Sequence, residues 1–109
     1  MLKVAKGDKG INFKLTFYDS SGANISLTGV TIRVKLFKDG ALLKNITSVD
    51  NNSHVIILDQ INGICQYTLQ GEDTAAAGIY TLYISIETID FIITGEQTIQ
   101  YQVYEEGVV

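Results

Sequence analysis

The feature that most restricts this chain is an alternation of apolar and polar residues that returns along most of its length. In Ile11-Asn12-Phe13-Lys14-Leu15-Thr16-Phe17 every second side chain is apolar, and Val30-Thr31-Ile32-Arg33-Val34-Lys35-Leu36 repeats the pattern. Side chains of an extended strand point alternately to its two faces, so this period marks strands with one face buried. Ile64 to Leu69 puts Cys65, Tyr67 and Leu69 on one face, and Ile79 to Ile86 is a further long strand. Weaker strands are expected at Asn24 to Leu27, Leu42 to Val49, His54 to Leu58, Phe91 to Thr94 and Thr98 to Tyr104. Glu72 to Ala77 has helical character, but about six residues make one or two turns, too few for an independent helix.

Turn chemistry separates these runs. Asp19-Ser20-Ser21-Gly22 offers side chains that bond local backbone and a glycine that accepts positive φ. Lys38-Asp39-Gly40 is a strong hairpin signal. About eight strands, each roughly 8 to 12 residues after the last, predict an all-β sandwich or barrel. With 109 residues, of which 46% are hydrophobic and 18% charged, residues 1–109 have room for one domain and one core. Residues 1–10 read as a flexible lead-in and first strand, and 105–109 as a tail or the start of a linker.

The longest apolar runs, Val55 to Leu58 and Phe91 to Ile93, are far too short to cross a bilayer. No secretory signal is visible at Met1 to Gly10, so no membrane partner or export is expected. The one cysteine, Cys65, cannot close an internal disulfide, and packing must hold the fold. There is no proline to guard an edge strand, which leaves lysine, glutamate or a partner to do so.

Net charge is −4, which argues against nucleic acid, whose phosphates need clustered Lys and Arg. All eight basic residues lie before residue 45, where three acids oppose them; nine acids and no base follow. Interleaving of early and late strands, with mutual neutralisation, is the expected reason. Complementarity between copies or with a partner is the alternative.

No catalytic or metal constellation is legible. His54 and Cys65 are the only residues of their kinds, so a Cys/His zinc set cannot be assembled, and no Cys-His nucleophilic pair is expected. His54 reads as a strand-end residue and Cys65 as a small core hydrophobe. Asp50-Asn51-Asn52-Ser53 lacks the acidic spacing of a calcium loop and reads as a turn. Glu72 and Asp73 are adjacent carboxylates suited to capping a short helix. Gly7-Asp8-Lys9-Gly10 is too short for a phosphate loop. No cofactor is expected, and the chain is expected not to be an enzyme.

Two resemblances carry the reading further. Asp73-Thr74-Ala75-Ala76-Ala77-Gly78-Ile79-Tyr80-Thr81-Leu82 resembles the loop and strand before the second cysteine of immunoglobulin domains. It implies a tyrosine corner at Tyr80, whose hydroxyl would bond backbone a few residues upstream, and places Leu82 where the cysteine would be. The implied fold class is an immunoglobulin-like antiparallel β-sandwich of about seven to nine strands.

In that topology three strands share a sheet: the third, the one from Ile79 to Ile86, and the last. Arg33, Lys35, Tyr83, Gln100 and Gln102 would then form a polar, aromatic outer face suited to a protein or a sugar.

The order of motifs along residues 4–104 is also similar to the N-terminal domain of phage baseplate upper proteins. The matching pieces are Lys6-Gly7-Asp8, Asn12 to Phe17 closed by Asp19 to Gly22, Ile25 to Val34, Ile61 to Tyr67 and Asp73 to Tyr80. That resemblance implies a virion structural part, made in the host bacterial cytoplasm, that attaches fibre or receptor-binding components to the tail baseplate. Its partners would be other tail or baseplate proteins and further copies of itself. Family members usually continue into a longer C-terminal region. The alternative reading, which rests on the immunoglobulin resemblance, is an immunoglobulin-like adhesion or carbohydrate-binding module of a cell-surface protein that would stack sugar rings on Tyr83 or loop tyrosines.

Overall fold

Each long alternating run becomes a strand in the computed structural model, which describes residues 1–89, 92–94 and 99–105. Nine strands are described: β1 (Leu2–Ala5), β2 (Asn12–Thr16), β3 (Thr31–Lys38), β4 (Ala41–Thr47), β5 (Val55–Asp59), β6 (Ile64–Thr68), β7 (Gly78–Glu87), β8 (Ile92–Thr94) and β9 (Ile99–Tyr104). The helical signal shrinks to one 3-10 turn, Gly71–Thr74. Phe91 and Thr98, expected at strand ends, lie outside the described residues, as do 106–109.

The strands form two sheets. One is six-stranded in the order β1-β9-β7-β3-β4, with β8 paired to the far end of β7; the other is β2-β6-β5. This is the strand distribution of a variable-type immunoglobulin domain: β2, β6 and β5 take positions B, E and D, while β4, β3, β7 and β9 take C′, C, F and G. The chain is an immunoglobulin-like β-sandwich. It departs from purely antiparallel pairing at one place, because β1 runs parallel to β9, with Val4 beside Val103.

Local chemistry explains the joints. Asp39 and Gly40 both have positive φ, 50° and 87°, as a two-residue turn matching strand twist requires. The turn is tied to β7 through Asp39 N–H to the Ile79 carbonyl (2.8 Å) and Ile79 N–H to Asp39 Oδ1 (3.0 Å). Asp19 Oδ1 accepts from Ser21 N–H, Ser21 hydroxyl and Ala23 N–H, which closes the turn after β2. Gly63, with φ of 72°, is packed so closely that an added Cβ would collide with the Ile25 carbonyl oxygen.

Three segments depart from expectation. Asn24 to Leu27 is not a strand but one antiparallel bridge, Tyr18 to Asn24. Its backbone bonds go to different places, Ile25 N–H to Phe17 and Leu27 N–H to Gln60, so no single ladder can form. His54 stands before β5 with φ of 57°, which keeps it out of the strand. Residues 7–10 are bonded rather than loose, with Gly7 N–H to the Thr74 carbonyl and Gly10 N–H to Leu69, both 2.9 Å.

The core lies between the inner faces. Ile32, Val34 and Leu36 of β3 and Tyr80, Leu82, Ile84 and Ile86 of β7 meet Leu15, Cys65, Tyr67 and Leu69 from the other sheet, all buried. Tyr80 and Tyr101 stack at 4.9 Å between centroids, and Phe13 extends the stack at 5.8 Å.

Candidate functional site

Polar chemistry gathers in two places, one inside the sandwich and one outside. The inner one surrounds Asp73, fully buried at the 3-10 turn. Its Oδ2 accepts from the Tyr67 hydroxyl (2.5 Å) and from Gln70 N–H (2.9 Å). Its Oδ1 lies 2.6 Å from Lys44 Nζ in an ion pair and has no other partner among the described residues.

Lys44 points inward from β4, donates to the Tyr67 hydroxyl at 3.1 Å and pairs with Glu72 at 2.5 Å. The Tyr101 hydroxyl donates to the Asp73 carbonyl (2.9 Å), and the Tyr80 hydroxyl donates to the Ala76 carbonyl (2.7 Å), four residues upstream. That last bond is the tyrosine-corner contact. Burial raises the Tyr67 phenol, and the Asp73 carboxylate beside it raises it further. Burial likewise raises Tyr101, and it pushes the Cys65 thiol up to about 11. Asp73 thus caps the turn, as its position beside Glu72 suggests, and also takes part in a buried ion pair.

The outer place is the exterior of the six-stranded sheet. Since β9, β7 and β3 are neighbours, the structure puts Arg33, Lys35, Tyr83, Gln100 and Gln102 on one surface. Lys35 is in register with Tyr83, and Arg33 with Ser85. Gln100 is in register with Thr81 and bonds its hydroxyl at 3.4 Å, one row from Tyr83. Gln102 is level with Ile79, about 13 Å along β7 from Tyr83, and so sits apart from the others.

Arg33 is not free. Its Nε donates to Glu87 Oε1 (2.5 Å) and its Nη1 to Asn45 Oδ1 (2.6 Å), and the Glu87 hydrogen bond raises the guanidinium pKa. Lys35 has no ion-pair partner among the described residues.

The sequence reading missed Phe37, Glu87 and Ile92 here. Phe37 continues the outward alternation of Arg33 and Lys35 by one step, a signal lost by ending the strand at Leu36. Its ring meets Tyr83 edge to face at 5.6 Å between centroids. Lys35, Phe37, Tyr83, Ser85, Glu87 and Ile92 line an open depression of about 350 Å³. Tyr83 is 38% exposed, and its hydroxyl meets no hydrogen-bond partner among the described residues.

The charge asymmetry has a structural reason. Lys6 with Glu105, Arg33 with Glu87, and Lys44 with Glu72 and Asp73 each join an early base to a late acid. Among the described residues no three His, Cys, Asp or Glu side chains cluster as a metal site, and no helix is long and apolar enough to cross a membrane.

No protein-family model matches the chain, and no curated protein matches it. Among solved structures it is similar to Drosophila OTK, extracellular domains 3-5. The two are 17% identical with a TM-score of 0.38, over 96% of this chain and 32% of that one. The chain therefore spans about a third of the length of that structure.

Proposed function

We propose that this chain is a non-enzymatic binding module that docks a protein partner on the exterior of its six-stranded sheet. The observation that carries the reading is the combination at the depression: a Lys35 ammonium with no ion-pair partner among the described residues, beside the Phe37–Tyr83 pair and the exposed Ile92. Aromatic anchors are what an interface centre uses, a lysine at its rim suits an acidic group of the partner that sets approach and register, and neighbouring side chains such as Arg33 already have partners.

The motif order that resembles phage baseplate upper proteins makes the partner another tail or baseplate protein, and the site of action the virion. This reading predicts that the gene lies among genes for tail, fibre or lysis proteins. It also predicts that a tail protein encoded there binds the wild-type chain in a calorimetric titration, and that Lys35→Glu weakens it at least about tenfold. A chain that ignores every such protein and instead gives signal on a glycan array would replace this reading with a carbohydrate-binding one.

A further inference from the structure

The buried network holds more than an ion pair requires. The two oxygens of Asp73 are treated differently: Oδ2 accepts from the Tyr67 hydroxyl (2.5 Å) and Gln70 N–H (2.9 Å), while Oδ1 meets only Lys44 Nζ, at 2.6 Å, among the described residues. Glu72 Oε1 reaches the same nitrogen at 2.5 Å. The Asp73 side chain is 0% exposed and that of Lys44 13%, whereas Glu72 is 70% exposed and in touch with water. An amine, a buried carboxyl carbon, two donors on one carboxyl oxygen and a proton carrier are the parts of an acyl-transfer site. A C–O bond is about 1.2 Å long, so Nζ lies no more than about 3.8 Å from Cγ. Atoms poised to react stand roughly 3 to 3.5 Å apart.

We propose that Lys44 and Asp73 condense into an intramolecular isopeptide bond, with the ion pair as its starting state. The ammonium first passes a proton to Oδ1, which removes two charges from a buried site. The freed amine pair forms the bond from Nζ to Cγ, and the carbonyl π pair moves onto Oδ2, where the Tyr67 hydroxyl and Gln70 N–H hold the charge. Glu72 takes a second proton from Nζ and delivers it to the Oδ1 hydroxyl, which leaves as water as the Cγ–Oδ1 bond breaks. The pair on Oδ2 then re-forms the carbonyl. Nζ keeps one hydrogen, the other two depart with the oxygen, and Glu72 is regenerated; nothing is oxidised or reduced.

The position of the bond gives it a structural consequence. With one cysteine, the chain has no internal disulfide between its sheets. Lys44 belongs to β4 of the six-stranded sheet, and Asp73 to the turn that follows β6 of the other. The new amide therefore ties the two halves of the sandwich together, as the disulfide of immunoglobulin domains does. It forms once in each chain and turns nothing over, so the chain remains a binding module.

Intact-mass spectrometry of the full chain, freshly made and after days at neutral pH, tests this. The expected result is a mass below that of the sequence by one water, about 18 Da. Trypsin should then spare Lys44 and release one branched peptide that carries both Lys44 and Asp73. Lys44→Arg should show the full sequence mass. Glu72→Gln should close the bond at least about tenfold more slowly. Its side chain is mostly exposed, so circular dichroism should report an intact fold.

The full sequence mass in wild type at every age, a water loss that persists in Lys44→Arg, or closure in Glu72→Gln at the wild-type pace would overturn the proposal. Tyr83→Ala lies on the outer face and should leave the mass loss unmoved. Absence of the partner proposed above with the bond intact would count against that reading and not this one.

Discussion

Tyr67, Tyr80 and Tyr101 on the inner faces and Tyr83 on an outer face differ more in their hydroxyls than in their rings. The three inner hydroxyls each meet an acceptor at the 3-10 turn or just after it, at Asp73 or Ala76. They fasten the β6–β7 connection across the sandwich. The Tyr83 hydroxyl has no such bond among the described residues, and its ring meets the Phe37 ring edge to face. A buried hydroxyl without a partner costs roughly 1 to 3 kcal/mol, while an exposed one is satisfied by water. The inner tyrosines are thereby committed to the fold, and the outer one is available to something else.

Substitutions break this contrast in a definite order. Lys44→Met should have the largest effect, about 3 to 5 kcal/mol of lost stability in chemical denaturation. It strands the Asp73 carboxylate in the core with no cation. A value near zero would mean that the inner network contributes nothing.

Alkali sharpens the same side. The Cys65 pKa is raised by burial from its ordinary 9.0 to about 11 in the fold. A group raised in this way contributes stability that is complete below pH 9 and is lost as pH rises through about 11. The loss amounts to about 2 to 3 kcal/mol, and the raised Tyr67 and Tyr101 phenols add to it in the same direction. Thermal unfolding from neutral pH upward should show the decline, and Cys65→Ala should remove its share of the slope.

Acid acts on the turns instead. Asp39 is lowered by the Ile79 N–H and then by Lys38, and Asp59 by Asn62, so what they contribute is present above the ordinary carboxylate range and is lost as pH falls below it. Tyr80→Phe removes one hydroxyl from a bond to backbone and should cost about 1 kcal/mol. Tyr83→Ala should change stability least, by no more than about 0.5 kcal/mol.

What the sequence made legible was whatever depends on near neighbours. The alternation in Thr31 to Leu36 and Ile79 to Ile86 marks β3 and β7, Asp39-Gly40 marks the hairpin, and Tyr80 stands four residues after the carbonyl it bonds. The outer face was legible in part, because Arg33, Lys35 and Tyr83 follow from alternation once β3 and β7 are neighbours.

Contacts between distant residues were not legible. Nothing local tells that Lys44 turns inward to Asp73, since both types usually sit on surfaces. Nor does the four-residue β1 announce a parallel partner in β9. That Arg33 is tied up by Glu87 while Lys35 meets no ion-pair partner among the described residues also depends on the fold.

The most direct test of the account is a calorimetric titration of the chain against the tail-protein partner proposed above, run in parallel with wild type, Tyr80→Phe and Tyr83→Ala. The account predicts that Tyr83→Ala weakens binding at least about tenfold with its melting temperature unchanged, and that Tyr80→Phe melts earlier but binds as wild type does. Equal affinity for Tyr83→Ala and wild type, or a loss of binding in Tyr80→Phe alone, would contradict it.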